Sequence, residues 1–218
     1  MEEFRTRRGQ WVALLVAAVL SSTVHAAEIT VGTWNVRLLS AHSRDGQERS
    51  HIVDRLVPFD LVALQEVMDD SVVAILVDSL QARGEAFDFV QAEAQGTPPN
   101  DERYAFLYRP DQVELVGELQ TWPGPAGLFV REPSWATFRA GSFDFLLVTV
   151  HLVYGERVAD RRAEALLLDD VLRDVHAANP AEGDVVLVGD FNLGPDDAGF
   201  SELRQTLRPS SRPARAPP

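Results

Sequence analysis

Four apolar segments of this sequence each end in a side chain that can bind a cation or move a proton. Runs of Val, Leu and Ile bounded by turn residues are typical of strands buried on both faces. Ligands of α/β sheets bind at the carboxyl ends of such strands, so the four ends are expected to meet. The segments are 29–35, ending in Asn35, 60–66, ending in Glu66, 145–151, ending in His151, and 185–192, which contains Asp190 and Asn192.

Glu66 is the first candidate metal ligand. It follows Gln65, and a carboxylate with a nearby amide suits Mg²⁺, which takes few protein oxygens and keeps several waters. Asn35 is the candidate second ligand. The alternative interpretation of Glu66 is a solvated acid at a strand end.

His151, Asp190 and Asn192 are candidates for proton transfer and for holding a water and a phosphate. An Asp and an Asn separated by one residue face the same side if the chain stays extended. The alternatives are a hydrogen-bonded core histidine at 151 and a turn at 190–192 that caps itself through Asx hydrogen bonds.

Arg131 lies before a predicted strand and could bind a phosphate as a fork. The alternative is a surface ion pair with Glu132 or a nearby acid. The sequence has no P-loop, no His-Glu-x-x-His motif and no Gly-x-Ser-x-Gly motif, so the chemistry of those sites is excluded.

The composition suits one globular domain with acidic character. The chain has 218 residues, 45% of them apolar, and a formal net charge of -13. It has no cysteine, which excludes disulfides and cysteine metal sites. Its cationic side chains are all arginines, so phosphate contacts must come from guanidinium groups. The acidity argues against tight nucleic-acid binding, but not against a nuclease whose metal supplies the positive charge.

The elements that must position these side chains are strands and helices in mixed order, with hairpins in the middle of the chain. Residues 157–176 are predicted to form one long helix. This order favours two stacked sheets with helices outside over a Rossmann pattern. The residues predicted on the buried face of the long helix are Val158, Leu166, Leu167, Val171, Leu172 and Val175.

Residues 1–26 are predicted to be a signal peptide. Three arginines precede an apolar run over 11–20, and Val24 and Ala26 fit the spacing of a cleavage site. The run is too short for a comfortable membrane span. We therefore expect a secreted or periplasmic protein without a stable span after cleavage, the alternative being an uncleaved anchor.

The order of these segments resembles the endonuclease/exonuclease/phosphatase superfamily, most closely its deoxyribonuclease I branch. The resemblance runs from about Ile29 to Phe200. The motifs that carry it are Thr33-Trp34-Asn35, Leu64-Gln65-Glu66, Glu102-Arg103-Tyr104, Tyr108-Arg109-Pro110, Arg131-Glu132-Pro133, His151 and Gly189-Asp190-Phe191-Asn192.

The resemblance implies an α/β four-layer sandwich of two mixed β-sheets flanked by helices, and metal-dependent hydrolysis of phosphodiesters. It implies Mg²⁺ as cofactor, with Mn²⁺ or Ca²⁺ as alternatives, and DNA or another phosphodiester as substrate for a monomeric enzyme. The implied roles are metal binding by Asn35 and Glu66, orientation of the acid–base His151 by Glu102, phosphate contact by Arg131, and positioning of water and phosphate by Asp190 and Asn192.

The end of the chain departs from the family pattern. After Phe200 the family continues into further strands and a terminal Ser-Asp-His, whereas this sequence ends in a Pro- and Arg-rich segment. We expect an incomplete domain over 28–208, with the second sheet incomplete, and a disordered tail over 209–218. The cause would be a truncation or a shifted reading frame, or else a diverged terminus.

The function expected from the sequence is that of a secreted, divalent-metal-dependent DNA endonuclease of deoxyribonuclease I type. The alternatives are a phosphatase or phospholipase of the same superfamily, and a catalytically inactive truncated product.

Overall fold

The structure is a computed structural model that describes residues 28–98 and 101–207. The predicted signal peptide (1–26) and the predicted disordered tail (209–218) lie outside the described residues. Within the described parts of the chain, no helix is both long enough and apolar enough to cross a membrane.

The described chain alternates between strands and helices as far as the second helix, and five strands then follow in succession before the third helix. A short 3₁₀ turn at Ala198–Phe200 precedes the last helix. The elements in chain order are β1 (Val31–Leu39), α1 (Gly46–Leu56), β2 (Leu61–Val67), α2 (Val72–Gln81), β3 (Asp88–Gln91), β4 (Arg103–Tyr108), β5 (Glu114–Thr121), β6 (Ser134–Ala140), β7 (Phe143–His151), α3 (Val158–Leu166), α4 (Leu168–Ala178), β8 (Val185–Asp190) and α5 (Leu203–Thr206).

The strands form two mixed four-stranded sheets. The first has the order β1-β2-β4-β3 and the second the order β5-β6-β7-β8. In each sheet one pair is parallel, β1 with β2 and β7 with β8, and the other pairs are antiparallel. Each parallel pair places two carboxyl strand ends side by side, as the sequence pattern required.

Three apolar clusters hold the layers together. Phe106, Phe138 and Leu147 belong to a cluster between the two sheets. A second cluster joins α1 and α2 to the outer face of the first sheet, and a third joins α3 and α4 to the outer face of the second. The predicted sandwich of two mixed sheets flanked by helices is therefore confirmed.

The prediction of one long helix over 157–176 is wrong. The chain forms two helices that meet at Leu167, whose amide donates to the carbonyl of Glu164, three residues back, in a tightened turn. The tighter turn rotates the apolar face, so that Leu168 becomes buried while Leu166 is left exposed. Val158, also predicted to be buried, is exposed.

An ion pair between Arg162 and Asp197 ties α3 to the segment that follows β8. The two side chains meet as a fork, at 2.8 and 3.0 Å. The Arg162 guanidinium, together with the backbone N–H of Gly199, lowers the pKa of Asp197 from its usual 3.8 to about 2. A carboxyl whose pKa is lowered by folding stabilises the fold above its unfolded pKa, and this contribution disappears as the pH falls towards 2.

We therefore expect Asp197→Asn to lose part of the acid dependence of stability. Urea unfolding midpoints measured from pH 5 to pH 2 should fall less steeply for the variant than for the wild type. Asp196→Asn, at an exposed neighbouring position, is the matched control and should follow the wild-type curve. Parallel curves for Asp197→Asn and the wild type would contradict this role of the ion pair.

Candidate active site

The carboxyl ends of β1, β2, β7 and β8 meet at one open cleft of about 680 Å³. Asn35 pairs with Gln65 across β1 and β2, and His151 pairs with Asp190 across β7 and β8. The two sheets are stacked so that these pairs face each other. All seven residues that the sequence analysis selected line this cleft: Asn35, Glu66, Glu102, Arg131, His151, Asp190 and Asn192.

Glu66 reaches the cleft because its backbone leaves the regular strand conformation. Its φ is +61°, in the left-handed region that residues with a side chain rarely adopt. The pairing of β2 with both of its neighbours shifts register around this point. Such conformations cost of order 1–3 kcal/mol and cluster at functional sites. Glu66 Oε2 accepts a 2.8 Å hydrogen bond from the backbone N–H of Leu38, which fixes the carboxylate.

Asn35 joins the two sheets inside the cleft. Its Nδ2 donates to Glu66 Oε1 at 2.7 Å and to Asp190 Oδ2 at 2.9 Å. Its Oδ1 accepts a 2.9 Å hydrogen bond from the backbone N–H of Arg37. The amide thus holds two carboxylates from different sheets against one small space.

His151 is buried and paired with a buried acid. Its Nδ1 donates to Glu102 Oε1 at 2.6 Å, and because a carboxylate only accepts, Nδ1 carries the proton. Its Nε2 is then the atom that faces the cleft, 3.8 Å from Glu66 Oε1 and 4.0 Å from Asp190 Oδ2. An imidazole oriented by a carboxylate, with its second nitrogen facing a cleft, can accept or donate a proton there.

Two further side chains hold His151 and Glu102 in place. Arg131 Nε lies 3.3 Å from Glu102 Oε1 and donates to the carbonyl of His151 at 3.2 Å. Arg131 is thus paired with the buried Glu102 inside the cleft, not in a surface pair with Glu132, and its contact with a phosphate stays a prediction. The backbone N–H of His151 donates to Tyr104 Oη at 2.8 Å. Burial, and then the charge of Glu102, raise the pKa of Tyr104, so its phenol stays protonated.

The chain does not stay extended after Asp190, so the alternative interpretation of this segment is the one that the structure shows. Asp190 Oδ1 accepts a 3.0 Å hydrogen bond from the backbone N–H of Asn192, which is the self-capping Asx turn of the alternative interpretation. Asn192 has a φ of +49° and its Nδ2 donates to the carbonyl of Leu152 at 2.7 Å. The turn still leaves both side chains at the cleft.

Gln65, considered as a metal-binding neighbour of Glu66, does not face the cleft. Its side chain is buried between the sheets, where Nε2 donates to Thr33 Oγ1 and Thr149 Oγ1, each at 3.0 Å. Its hydrogen bonds therefore link β2 to β1 and to β7 between the two sheets, next to the site. Adjacent residues of a strand point to opposite faces, so the sequence did contain this signal.

Glu164 connects the two loops that border the cleft. Its Oε1 accepts from the backbone N–H of Val130 at 2.7 Å, and its Oε2 accepts from that of Val153 at 2.6 Å. Burial raises the pKa of this carboxyl despite both hydrogen bonds. Glu164 could not be recognised from the sequence because it lies on a helix and resembles an ordinary solvated acid.

Arg37 and Tyr154 also line the cleft and were not among the residues predicted from the sequence. Arg37 and Leu38 both have left-handed backbones, with φ of +52° and +51°. These conformations place them at the cleft rather than along β1. Two consecutive left-handed residues without glycine have no recognisable sequence signal.

The oxygens at the cleft fit a hard divalent cation. Within residues 28–98 and 101–207, no cluster of three or more His, Cys, Asp or Glu side chains forms a metal site by itself. Glu66 Oε1 and Asp190 Oδ2 nevertheless face one small space beside the amide of Asn35. Two carboxylates held together repel each other unless a cation or proton lies between them. Mg²⁺ prefers to be coordinated by a few protein oxygens and several water molecules.

Gly189 allows β8 to approach β7 closely just before Asp190. Its φ is +137°, and a Cβ placed there would lie 2.0 Å from the carbonyl oxygen of Val150. We expect Gly189→Ala to lower the free energy of unfolding by about 3 kcal/mol, because both backbone strain and overlap must be relieved. Gly183→Ala is the matched control, since a Cβ there meets nothing within 4 Å. Urea unfolding at 25 °C measures the free energy of unfolding of both variants. Equal losses would contradict the conclusion that β8 approaches β7 closely at Gly189.

This fold and this cleft define a class: a two-sheet α/β sandwich with an acidic, histidine-containing site at the strand ends. The sequence matches the Endonuclease/Exonuclease/phosphatase family over residues 32–217. The chain therefore belongs to that family.

Named relatives lie on the deoxyribonuclease side of the family. The chain is 35% identical over 209 residues to a deoxyribonuclease of Thioalkalivibrio sp. (strain K90mix), which covers 93% of this chain and 56% of that protein. It is 33% identical over 191 residues to deoxyribonuclease-1 of Oryctolagus cuniculus, which covers 83% of this chain and 66% of that protein. The chain thus spans less than two thirds of the length of these relatives.

A solved structure shares the fold. The catalytic domain of human Nocturnin superposes with a TM-score of 0.58 at 17% identity, over 79% of this chain and 68% of that domain. At this identity the likeness concerns the fold alone.

Proposed function

We propose that this protein hydrolyses phosphodiester bonds of DNA as a divalent-metal-dependent endonuclease. The observation that carries the proposal is the position of His151 Nε2, which faces the carboxylates of Glu66 and Asp190 in one cleft while Nδ1 is held by Glu102. The names of the two relatives described above, both deoxyribonucleases, support DNA as the substrate.

In this proposal each side chain has one task. Glu66 would hold Mg²⁺, with Mn²⁺ or Ca²⁺ as possible replacements, and Asn35 would join it through Oδ1, the atom that accepts from the backbone N–H of Arg37 in the structure. A bound divalent cation supplies positive charge where the carboxylates would otherwise repel a phosphate. His151 Nε2 transfers the proton, and Glu102 keeps its ring oriented.

The remaining side chains position the reactants. The Asp190 carboxylate orients a water molecule. The Asn192 amide contacts the phosphate, and the Arg131 guanidinium, held by Glu102, lies beside it and adds positive charge. The repulsion between Glu66 and Asp190 is what the cation offsets.

A substrate panel tests the proposal. The purified chain should convert supercoiled plasmid to open circles with Mg²⁺ and stop when EDTA is added. Sphingomyelin vesicles and inositol phosphates, assayed in parallel for released phosphate groups, should remain intact. Hydrolysis of either of these with intact plasmid would replace the proposal by phospholipase or phosphatase activity.

We further propose export to the periplasm or the medium as a monomer. The arginine-rich start, apolar run and small residues of the sequence over 1–26 support export. Mass spectrometry of the protein expressed from its full reading frame should find a mature N-terminus at Ala27, and retention of Met1 would contradict it.

A further inference from the structure

Tyr154 is an exposed aromatic side chain at the border of the cleft. It is 78% exposed, yet it lines the same cleft as His151 and Asp190. An aromatic ring left in water gains nothing for the fold, because its apolar surface is not buried. Among the described residues that line the cleft, Tyr154 is the aromatic one, which makes it the candidate for contact with a planar ligand.

Arg161 supports the ring from α3. Its guanidinium carbon lies 5.7 Å from the centre of the Tyr154 ring, within the range of a cation–π contact. Its Nη1 donates to the carbonyl of Gly155 at 2.6 Å, which links it to the loop that carries Tyr154. The ring is thus held from one side, and its large exposed area leaves the other side available for a ligand.

The charge of the protein makes a stacking contact useful for binding DNA. The net charge is -13, and among the described residues that line the cleft the cations are Arg37 and Arg131. Part of the charge of Arg131 is offset by Glu102, whose Oε1 lies 3.3 Å from Arg131 Nε. Binding of a polyanion through phosphate contacts alone would therefore be weak here. Stacking of bases on aromatic rings adds affinity that does not depend on positive charge.

We propose that Tyr154 is a stacking platform for an unpaired base next to the phosphodiester that is cleaved. This inference rests on the proposed function and specifies its substrate. Within a duplex both faces of a base are covered by its neighbours, whereas an unpaired base offers a free face. The platform should thus favour single-stranded DNA, or unpaired segments, over continuous duplex.

The other class of ligand with an apolar group beside a phosphodiester is a lipid. The cleft also has Leu38 and Val130 exposed at its border. A flat ring held by a guanidinium presents a planar surface, which matches a base better than a flexible acyl chain. We therefore favour the base, and the lipid becomes an outcome of the test.

The test compares two 12-mers of equal charge, (dT)12 and a 12-mer of abasic sites. Wild type, Tyr154→Ala and Tyr154→Phe are assayed with Mg²⁺. The ratio of kcat/KM for (dT)12 to that for the abasic 12-mer should fall about tenfold in Tyr154→Ala, through KM, because one stacked base is lost. Tyr154→Phe keeps the ring and should retain the ratio. The exposure of Tyr154 makes unfolding of either variant unexpected, and circular dichroism melting checks this.

Binding separates failure of this inference from failure of the proposed function. In the His151→Ala background, fluorescence anisotropy with labelled (dT)12 should show about tenfold weaker binding when Tyr154→Ala is added. Base-dependent binding without any hydrolysis by the wild type would contradict the proposed function alone. An unchanged ratio and unchanged binding, equal losses in both Tyr154 variants, or an effect confined to sphingomyelin vesicles would overturn the platform.

Discussion

Replacing His151 by Ala should lower kcat for plasmid nicking by about 100-fold to 10,000-fold, the range that one positioned acid–base group contributes. The reason is that Nε2 faces the cleft while Nδ1 is held 2.6 Å from Glu102 Oε1, so no other described side chain offers an oriented imidazole there. Initial rates at saturating DNA and Mg²⁺ measure the loss.

The matched control for this variant is His176→Ala. His176 lies on α4, away from the cleft, and its ring is exposed. This variant should keep the wild-type rate. Equal rates for His151→Ala and His176→Ala would remove His151 from the chemistry.

Replacing Glu66 by Gln should lower the rate by about 100-fold or more, because the cleft loses a charge that holds the cation. The variant should also lose the stabilisation that Mg²⁺ gives to the wild type, which at 100 times Kd would be about 2.7 kcal/mol. Without metal the variant should be at least as stable as the wild type, since the repulsion between Glu66 and Asp190 is removed. Thermal melting with and without Mg²⁺ measures both effects.

Glu118→Gln provides the control for Glu66→Gln, because Glu118 is an exposed acid on β5. It should leave both the rate and the Mg²⁺-dependent shift unchanged. A shift of the same size in all three proteins would mean that the metal binds elsewhere.

The position of the site could be predicted from the sequence because it follows from strand order. Apolar runs ending in Asn35, Glu66, His151 and Asp190 were enough to place four side chains at one edge of stacked sheets. Parallel pairing of β1 with β2 and of β7 with β8 then brought these ends together. The pattern of apolar residues directly indicates which segments are buried strands, and this is why the strand ends could be predicted from the sequence.

The local geometry of the site could not be predicted in the same way. The left-handed backbone of Glu66 has no local sequence signal, and at Asp190 the local sequence was compatible with both an extended chain and the Asx turn that forms. The break between the two helices at Leu167 could not be predicted either. Three consecutive leucines occur there, so an apolar residue faces the core whether or not the helix continues unbroken. The roles of the side chains stay predictions, since geometry shows proximity and not chemistry.

The central claim is that Asn35, Glu66, His151 and Asp190 form one metal-dependent hydrolytic site. The most direct measurement is the initial rate of supercoiled plasmid nicking as a function of Mg²⁺ concentration, for the wild type and Glu66→Gln. The account predicts a rate that saturates with Mg²⁺ and disappears with EDTA, and a rate in the variant that is lower by about 100-fold or more at every Mg²⁺ concentration. A rate that persists in EDTA, or that is equal in the two proteins, would contradict it.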